Sequence, residues 1–152
     1  MRVAILESII MPAGHEVEFD RILVDELKRK GHEPVFFVPE NFPFKIDYKT
    51  DVEYLQGGEV VTYAGAGKLK KLYLGVLRET RRRAWFASAC EKAKAGRCDA
   101  IIVPTATYRY LKALRGSGLK DSPVPVYFIF HGINPGEQPK FEKQARLTEA
   151  YP

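Results

Sequence analysis

The sequence predicts an α/β protein with a Rossmann-like parallel sheet of about five strands and helices on both faces. In residues 2–38 an apolar run, a loop, an amphipathic stretch and a second apolar run follow one another, the order of a βαβ unit. Two later apolar runs, 98–104 and 123–130, each precede a segment with helical potential. Strands that alternate with helices indicate a parallel sheet covered on both faces. Right-handed crossovers then favour the strand order 3-2-1-4-5, with a switch point between the first and fourth strands.

The individual elements follow from local signals. The first strand covers Val3 to Leu6, and the first helix carries Phe19, Ile22, Leu23 and Leu27 on one stripe before Gly31 and Pro34 end it. The second strand is Val35 to Val38, and residues 39–50 are irregular. We expect a third strand over Glu59 to Tyr63, after the Gly57-Gly58 turn. The remaining predicted elements are a helix over 68–95 with Gly75 as a plausible break, strands over 98–104 and 123–130, and helices over 105–114 and 140–149.

Length and composition favour a single soluble domain over residues 1–152. The chain has 152 residues, and 45% hydrophobic and 28% charged content is ordinary for a globular protein. No apolar run approaches the roughly 20 residues of a membrane span, and no signal peptide precedes the first strand. The expected location is therefore cytoplasmic. Cys90 and Cys98 are too few for a disulfide framework and match no zinc spacing, so we expect no metal site.

Candidate binding residues follow the predicted strands, because ligands of such sheets bind at the carboxyl ends of the strands. The rim residues are expected at 7–14, 39, 63–67, 105–108 and 131–134. Among them, Gly14, His15 and Glu16 open the first helix, where free backbone N–H groups can receive a phosphate or a hydroxyl-rich ligand. The competing interpretations are that Glu16 is an acid that complements the helix dipole and that His15 is merely exposed. Thr105 and Gly132 complete the candidate substrate-binding set.

His131 is the candidate catalytic residue. It follows an apolar strand and precedes a glycine, where its imidazole can bond a substrate hydroxyl or transfer a proton. A structural histidine that bonds a neighbouring loop is the competing interpretation. His32, in the turn at the opposite edge, is interpreted as structural.

Two glycine-containing segments do not fit nucleotide-binding fingerprints. The loop after the first strand offers only Gly14, whereas the dinucleotide fingerprint needs three glycines. The segment 63–68 lacks the spacing and the hydroxyl residue of a Walker A motif. It is either a small anion-binding nest or a flexible hinge.

Positive charge is concentrated between Lys68 and Arg97, where only Glu79 and Glu91 oppose the basic residues. Lys71, Arg78, Arg82 and Trp85 share one helical stripe, a pattern that suits docking to an anionic membrane surface, although a merely solvated face has the same pattern. Nucleic acid binding is disfavoured, because the aromatic residues do not interleave with the basic ones.

The chain resembles the N-terminal half of GT-B glycosyltransferases, most closely the large retaining family, family four. The resemblance rests on Gly14-His15-Glu16, on the helix end from Leu27 to Pro34, and on the late strand from Pro125 to His131-Gly132. The chain departs from the family at Ala13, where paired glycines are common.

The resemblance implies the acceptor-binding half of an enzyme that moves a sugar from a nucleotide-sugar donor to a sugar or lipid acceptor. It implies no metal and no cofactor besides the donor as co-substrate. Gly14 and Glu16 would then lie near the donor phosphate and the acceptor, and His131 near the reacting sugar. A C-terminal half with a Glu-x7-Glu element would hold the donor, so this chain alone would be inactive. The alternative is a standalone flavodoxin-like module that binds a phosphorylated ligand.

Overall fold

The computed structural model describes residues 1–8, 14–42, 49–58, 63–132 and 134–149. The described residues form five parallel strands and four α-helices, and a helix follows every strand except the second. The strands are β1 (Arg2–Leu6), β2 (Glu33–Pro39), β3 (Asp51–Leu55), β4 (Ala100–Val103) and β5 (Val126–Phe128). The helices are α1 (His15–Arg29), α2 (Lys68–Lys94), α3 (Tyr108–Leu114) and α4 (Gln138–Glu149), with a short 3₁₀ turn at Leu119–Asp121. The predicted α/β class is confirmed.

The sheet order is β3-β2-β1-β4-β5, as predicted. β1 lies at the centre, with Ile5 opposite Phe36 of β2 and Ile102 of β4. The chain therefore crosses to one side of β1 first and to the other side later, which places the switch point between β1 and β4.

The third strand of the sheet lies earlier in the chain than the predicted range of Glu59 to Tyr63. The strand that pairs with β2 is Asp51–Leu55, and residues 59–62 lie outside the described residues. β3 is an edge strand with polar residues, and its Glu53 carboxylate forms ion pairs with Arg2, Lys92 and Arg97 at 3.0 to 3.4 Å. An edge strand need not be apolar on both faces. A strand with such charged residues is therefore not recognised by its apolar pattern.

Helices cover both faces of the sheet, as predicted. Val17 and Val24 of α1 pack with Ile5 and Phe36 on one face. On the other face α2 and α3 pack over the alternate strand residues, with Trp85 and Phe86 fully buried. Burial of such large side chains stabilises the fold by roughly 1.5–3 kcal/mol each.

Helix α2 is much longer than the strands on which it packs. Its 27 residues extend about 40 Å, whereas a five-residue strand extends about 17 Å. Its buried residues all fall from Arg82 onward. The C-terminal half therefore packs on the sheet, and the N-terminal half extends past the carboxyl ends of the strands. Gly75 does not interrupt the helix.

Gly57 and Gly58 hold the end of β3 against its neighbours. A Cβ on Gly57 would lie 2.5 Å from the Arg81 carbonyl oxygen, and one on Gly58 would lie 2.0 Å from the Pro39 Cβ. Both residues have positive φ, at 94° and 105°. The glycine pair thus allows the chain to pass directly between β2 and α2.

Candidate functional site

The candidate site lies where β1 and β4 end side by side. After β1 the chain passes to α1 on one face, and after β4 it passes to α3 on the other. A parallel sheet of this topology binds its ligands in the crevice at this carboxyl edge, between the two strands. Residues 9–13 and 133 of the predicted rim lie outside the described residues.

A buried carboxylate joins the two strand ends at the base of this crevice. Glu7 is only 1% exposed. Its Oε1 accepts the Ser8 backbone N–H at 2.6 Å, and its Oε2 accepts the Thr105 hydroxyl at 2.6 Å. Because a buried carboxylate is stable only when it is hydrogen-bonded, these bonds fix the loop after β4 to the end of β1.

Tyr110 extends this polar cluster into α3. Its hydroxyl lies 2.8 Å from the Ser8 hydroxyl. Burial raises the pKa of Tyr110, and the Glu7 charge raises it further. The phenol therefore stays protonated at neutral pH and remains a hydrogen-bond donor.

The start of α1 meets the loop after β5 through two histidines. The His131 ring lies 5.0 Å from the His15 ring and 4.5 Å from the Phe19 ring, both edge to face. Both histidines are exposed, so their nitrogen atoms remain accessible from the rim. The chain segments predicted to carry the site are thus adjacent in space at this point.

Gly14 forms the N-cap of α1 with φ 130°, and no side chain caps the helix. Glu16 and Glu18 occupy the first turn. Two carboxylates complement the helix dipole and oppose a further negative charge. The α1 terminus therefore suits a hydroxyl-rich group better than a multiply charged anion.

A separate concavity lies between the N-terminal half of α2 and α3. This cleft has a volume of about 790 Å³, and Tyr63 and Tyr108 contribute to its walls. Six cationic side chains line it, with Glu79 as the single acid among the described lining residues: Lys71, Arg78, Arg82, Arg83, Arg109 and Lys112. The Arg82 guanidinium lies 5.0 Å above the Tyr110 ring, so Tyr110 contacts both a residue of the cleft and Ser8 at the end of β1.

The predicted membrane face of α2 needs correction. Arg82 is 3% exposed and Trp85 is fully buried, so neither side chain belongs to an outer surface. Lys71, Arg78, Arg82 and Trp85 do share one helical stripe, but its C-terminal part, at Arg82 and Trp85, faces inward. The stripe covers the sheet at Trp85 and lines the cleft at Lys71 and Arg78, where α2 extends past the strands.

The structure brings some predicted site residues together and separates others. His15 contacts His131 directly, with Gly14, Glu16 and Gly132 as chain neighbours. Thr105 lies in the Glu7 cluster. Glu7 and Ser8 lie within the predicted rim at 7–14 without a predicted role, and Tyr110 is not among the predicted site residues. A charged residue immediately after the buried run of β1 was the one available signal for Glu7.

The described residues contain no group of side chains arranged to hold a metal ion. In the same part of the chain, no helix has the length and apolar character to cross a bilayer.

No known protein family matches the sequence, and no curated protein matches it. Solved structures do match the fold. The glycosyltransferase VinC, solved in complex with dTDP, superposes with a TM-score of 0.56 at 14% identity over 100% of this chain and 39% of its own. SsfS6, a glycosyltransferase of Streptomyces sp. SF2575, has a TM-score of 0.54 at 13% identity, with coverages of 99% and 45%.

SnogD, a glycosyltransferase of Streptomyces nogalater, has a TM-score of 0.52 at 14% identity, with coverages of 99% and 40%. The chain thus spans about two fifths of the length of these enzymes. It has the Rossmann-like α/β fold of one part of a GT-B glycosyltransferase, and identity at this level shows the fold alone.

Proposed function

We propose that this chain is the N-terminal, acceptor-binding half of a GT-B glycosyltransferase, of the retaining family that its sequence resembles. The enzyme transfers a sugar from a nucleotide-sugar donor to an acceptor. The observation that carries the proposal is the contact between His15 and His131 at the rim of the β1–β4 crevice. This is the edge at which an α/β sheet of this topology binds its ligands.

In this proposal the rim residues hold the acceptor. The backbone at Gly14, His15 and Glu16 offers N–H groups to a hydroxyl-rich ligand, and the two carboxylates in the first turn of α1 disfavour an anion there. His131 acts at the reacting sugar. Its imidazole bonds a substrate hydroxyl, and the edge contacts with Phe19 and His15 restrict the orientation of its ring. Thr105 and Gly132 contribute to the binding rim.

The donor occupies a second domain that pairs with this one. VinC was solved with a nucleoside diphosphate, which agrees with a nucleotide-sugar donor for an enzyme of this fold. The chain alone is then expected to bind ligands weakly and to turn over little or nothing. The proposal involves no metal ion and no cofactor besides the donor.

The test is a sugar-transfer assay on the chain with and without a supplied donor-binding half. The proposal expects transfer only when both halves are present. His131→Ala is expected to lower that transfer by roughly 10²-fold, the scale of one positioned acid–base group. His32→Ala, at the opposite edge of the sheet, is the matched control and is expected to leave transfer unchanged. Full activity in His131→Ala would remove His131 from the site.

A standalone module that binds a phosphorylated ligand remains the alternative function, favoured by the cation-rich cleft. Titration of the chain with flavin mononucleotide and with uridine diphosphate separates the two functions. Tight, stoichiometric binding of either compound favours the module. Weak binding of both favours the half-enzyme.

Peripheral membrane association is also part of the proposal, on a surface of α2 that shares only Lys71 with the predicted one. Leu69, Leu72, Tyr73 and Val76 form an exposed stripe along the overhanging half of α2. Lys68, Lys70 and Lys71 flank this stripe and are exposed. A basic amphipathic surface of this kind binds anionic lipid.

A further inference from the structure

The described lining of the cleft between α2 and α3 is predominantly positive, with six cationic side chains and one acid. Glu79 is shared by two arginines, with its Oε2 3.7 Å from Arg82 and its Oε1 3.3 Å from Arg83. Lys71, Arg109 and Lys112 are exposed at the walls. Such a concentration of like charge against a low-dielectric wall attracts a multivalent anion.

The arginines are oriented by aromatic rings. The Arg78 guanidinium lies 4.6 Å from the centre of the Tyr63 ring, and the Arg109 guanidinium lies 5.7 Å from that of Tyr108. The Arg109 Nε also donates to the Tyr108 hydroxyl at 3.3 Å. Contacts of this kind restrict the plane of a guanidinium. Planar N–H pairs match the oxygens of a phosphate, which is why arginine is favoured at phosphate sites.

Buried Arg82 supports the same conclusion. Burial lowers its pKa, and the nearby Arg109 charge lowers it further, whereas Tyr110 raises it. Two guanidinium groups that repel each other across a cleft are stabilised when an anion binds between them.

One wall of the cleft is apolar. Leu72 and Val76 line it, and Leu69 and Tyr73 continue the stripe away from it along α2. These four side chains are 61% to 85% exposed. An anionic group in the cleft would therefore have a hydrophobic surface beside it rather than more charge.

We propose that this cleft binds the phosphate or diphosphate group of an amphiphilic acceptor, whose apolar part lies along Leu72 and Val76. This inference rests on the proposed function, since it names the acceptor class of the same half-enzyme. Tyr110 links the two regions, because it carries Arg82 on its ring and bonds Ser8 through its hydroxyl. In this arrangement the polar part of the acceptor extends from the phosphate toward the crevice at the strand ends.

Calorimetric titration of the full chain at low salt tests the proposal with three probes. Inorganic pyrophosphate carries the charge alone, farnesyl diphosphate adds an apolar chain, and uridine diphosphate adds a nucleoside. The expected order places farnesyl diphosphate tightest, by about tenfold or more over pyrophosphate, and uridine diphosphate no tighter than pyrophosphate. Preference for uridine diphosphate, or equal affinity for all three probes, overturns the assignment to an amphiphile.

Variants at exposed cleft residues test the location. Arg109→Gln and Lys112→Gln are each expected to weaken farnesyl diphosphate about tenfold, the scale of one charge-assisted contact. Leu72→Ser is expected to weaken farnesyl diphosphate and to leave pyrophosphate unchanged. Arg29→Gln, at the far end of α1, is the control for lost positive charge. Equal affinity in the cleft variants and this control overturns the proposal.

The proposed function fails separately from this inference. If the two paired halves transfer sugar to uncharged acceptors and Arg109→Gln has no effect, the transferase stands and the cleft assignment is wrong. If farnesyl diphosphate binds as expected and the paired halves transfer no sugar, the cleft assignment stands and the transferase is wrong.

Discussion

Substitution of Thr105 by Val tests the buried carboxylate cluster that joins β1 to β4. The change keeps the shape of the side chain and removes the hydroxyl that donates to Glu7 Oε2 at 2.6 Å. Glu7 is 1% exposed, so water does not readily replace the lost donor. A hydrogen bond to a charged group contributes about 1.5–3 kcal/mol.

The expected loss in unfolding free energy is therefore about 2 kcal/mol, at the lower part of that range because the Ser8 N–H remains bonded to the carboxylate. For a domain of this size the loss corresponds to a fall in Tm of roughly 4–8 °C. Urea unfolding followed by circular dichroism gives the free energy, and an unchanged m-value confirms that the two-state comparison is valid.

Thr80→Val is the matched control. The Thr80 hydroxyl donates to the Val76 carbonyl oxygen at 3.0 Å on an exposed turn of α2, so its loss is expected to cost less than about 0.5 kcal/mol. Equal unfolding free energies for the two variants would show that the Glu7–Thr105 bond does not hold the strand ends together.

Three further results are expected. Gly57→Ala should lower the unfolding free energy by more than about 3 kcal/mol, because its Cβ would lie 2.5 Å from a carbonyl oxygen. Gly31→Ala is the control, since Gly31 also has positive φ but has open space around it, and it should lower the unfolding free energy by about 1–2 kcal/mol. Urea unfolding measures both. Burial raises the pKa of the Cys98 thiol to about 11 from 9.0. The contribution of the buried thiol to the unfolding free energy should therefore be complete below pH 9 and should be lost as the pH rises toward 11. Cys98→Ala should remove this dependence of stability on pH. Leu69→Ser with Tyr73→Ser should abolish cosedimentation with anionic vesicles.

Each of these results has a contradicting outcome. Equal costs for the two alanine variants would mean that Gly57 does not approach the α2 backbone closely. A pH dependence that persists unchanged in Cys98→Ala would assign the slope to other groups. Cosedimentation that is the same with anionic and zwitterionic vesicles, or unchanged in the double serine variant, would remove α2 from membrane binding.

The central elements of the fold could be predicted because their sequences are apolar without interruption. Ile5, Phe36 and Ile101 lie in strands covered on both faces, so burial alone identifies the strands. β3 could not be found in this way. Its Glu53 is stabilised by basic residues from three other segments, and that environment exists only after the chain has folded.

The face of α2 was misjudged for a related reason. Helical periodicity correctly places Arg78, Arg82 and Trp85 on one stripe, but it does not show where the sheet beneath the helix ends. The same stripe is buried at Trp85 and open to a cleft at Arg78 because α2 is longer than the strands. Basic residues on one stripe of a helix therefore predict an exposed surface only where no sheet or other helix packs against that stripe.

The candidate site was predictable in outline. His15 and His131 both follow strand ends, and the topology of a parallel sheet brings strand ends to one edge. The bonds of Glu7 with Thr105 and of Ser8 with Tyr110 depend on side-chain rotamers and on separations of about a hundred residues along the chain. No local pattern in the sequence encodes those pairs.

The most direct test of the central claim is sugar transfer from a labelled nucleotide sugar, measured for this chain alone and together with a donor-binding half. That half is sought as a second βα array with a Glu-x7-Glu element, in frame after Pro152 or in a neighbouring gene. The account predicts transfer by the two halves together and little or none by either alone. Robust transfer by the 152-residue chain without a second half would contradict it.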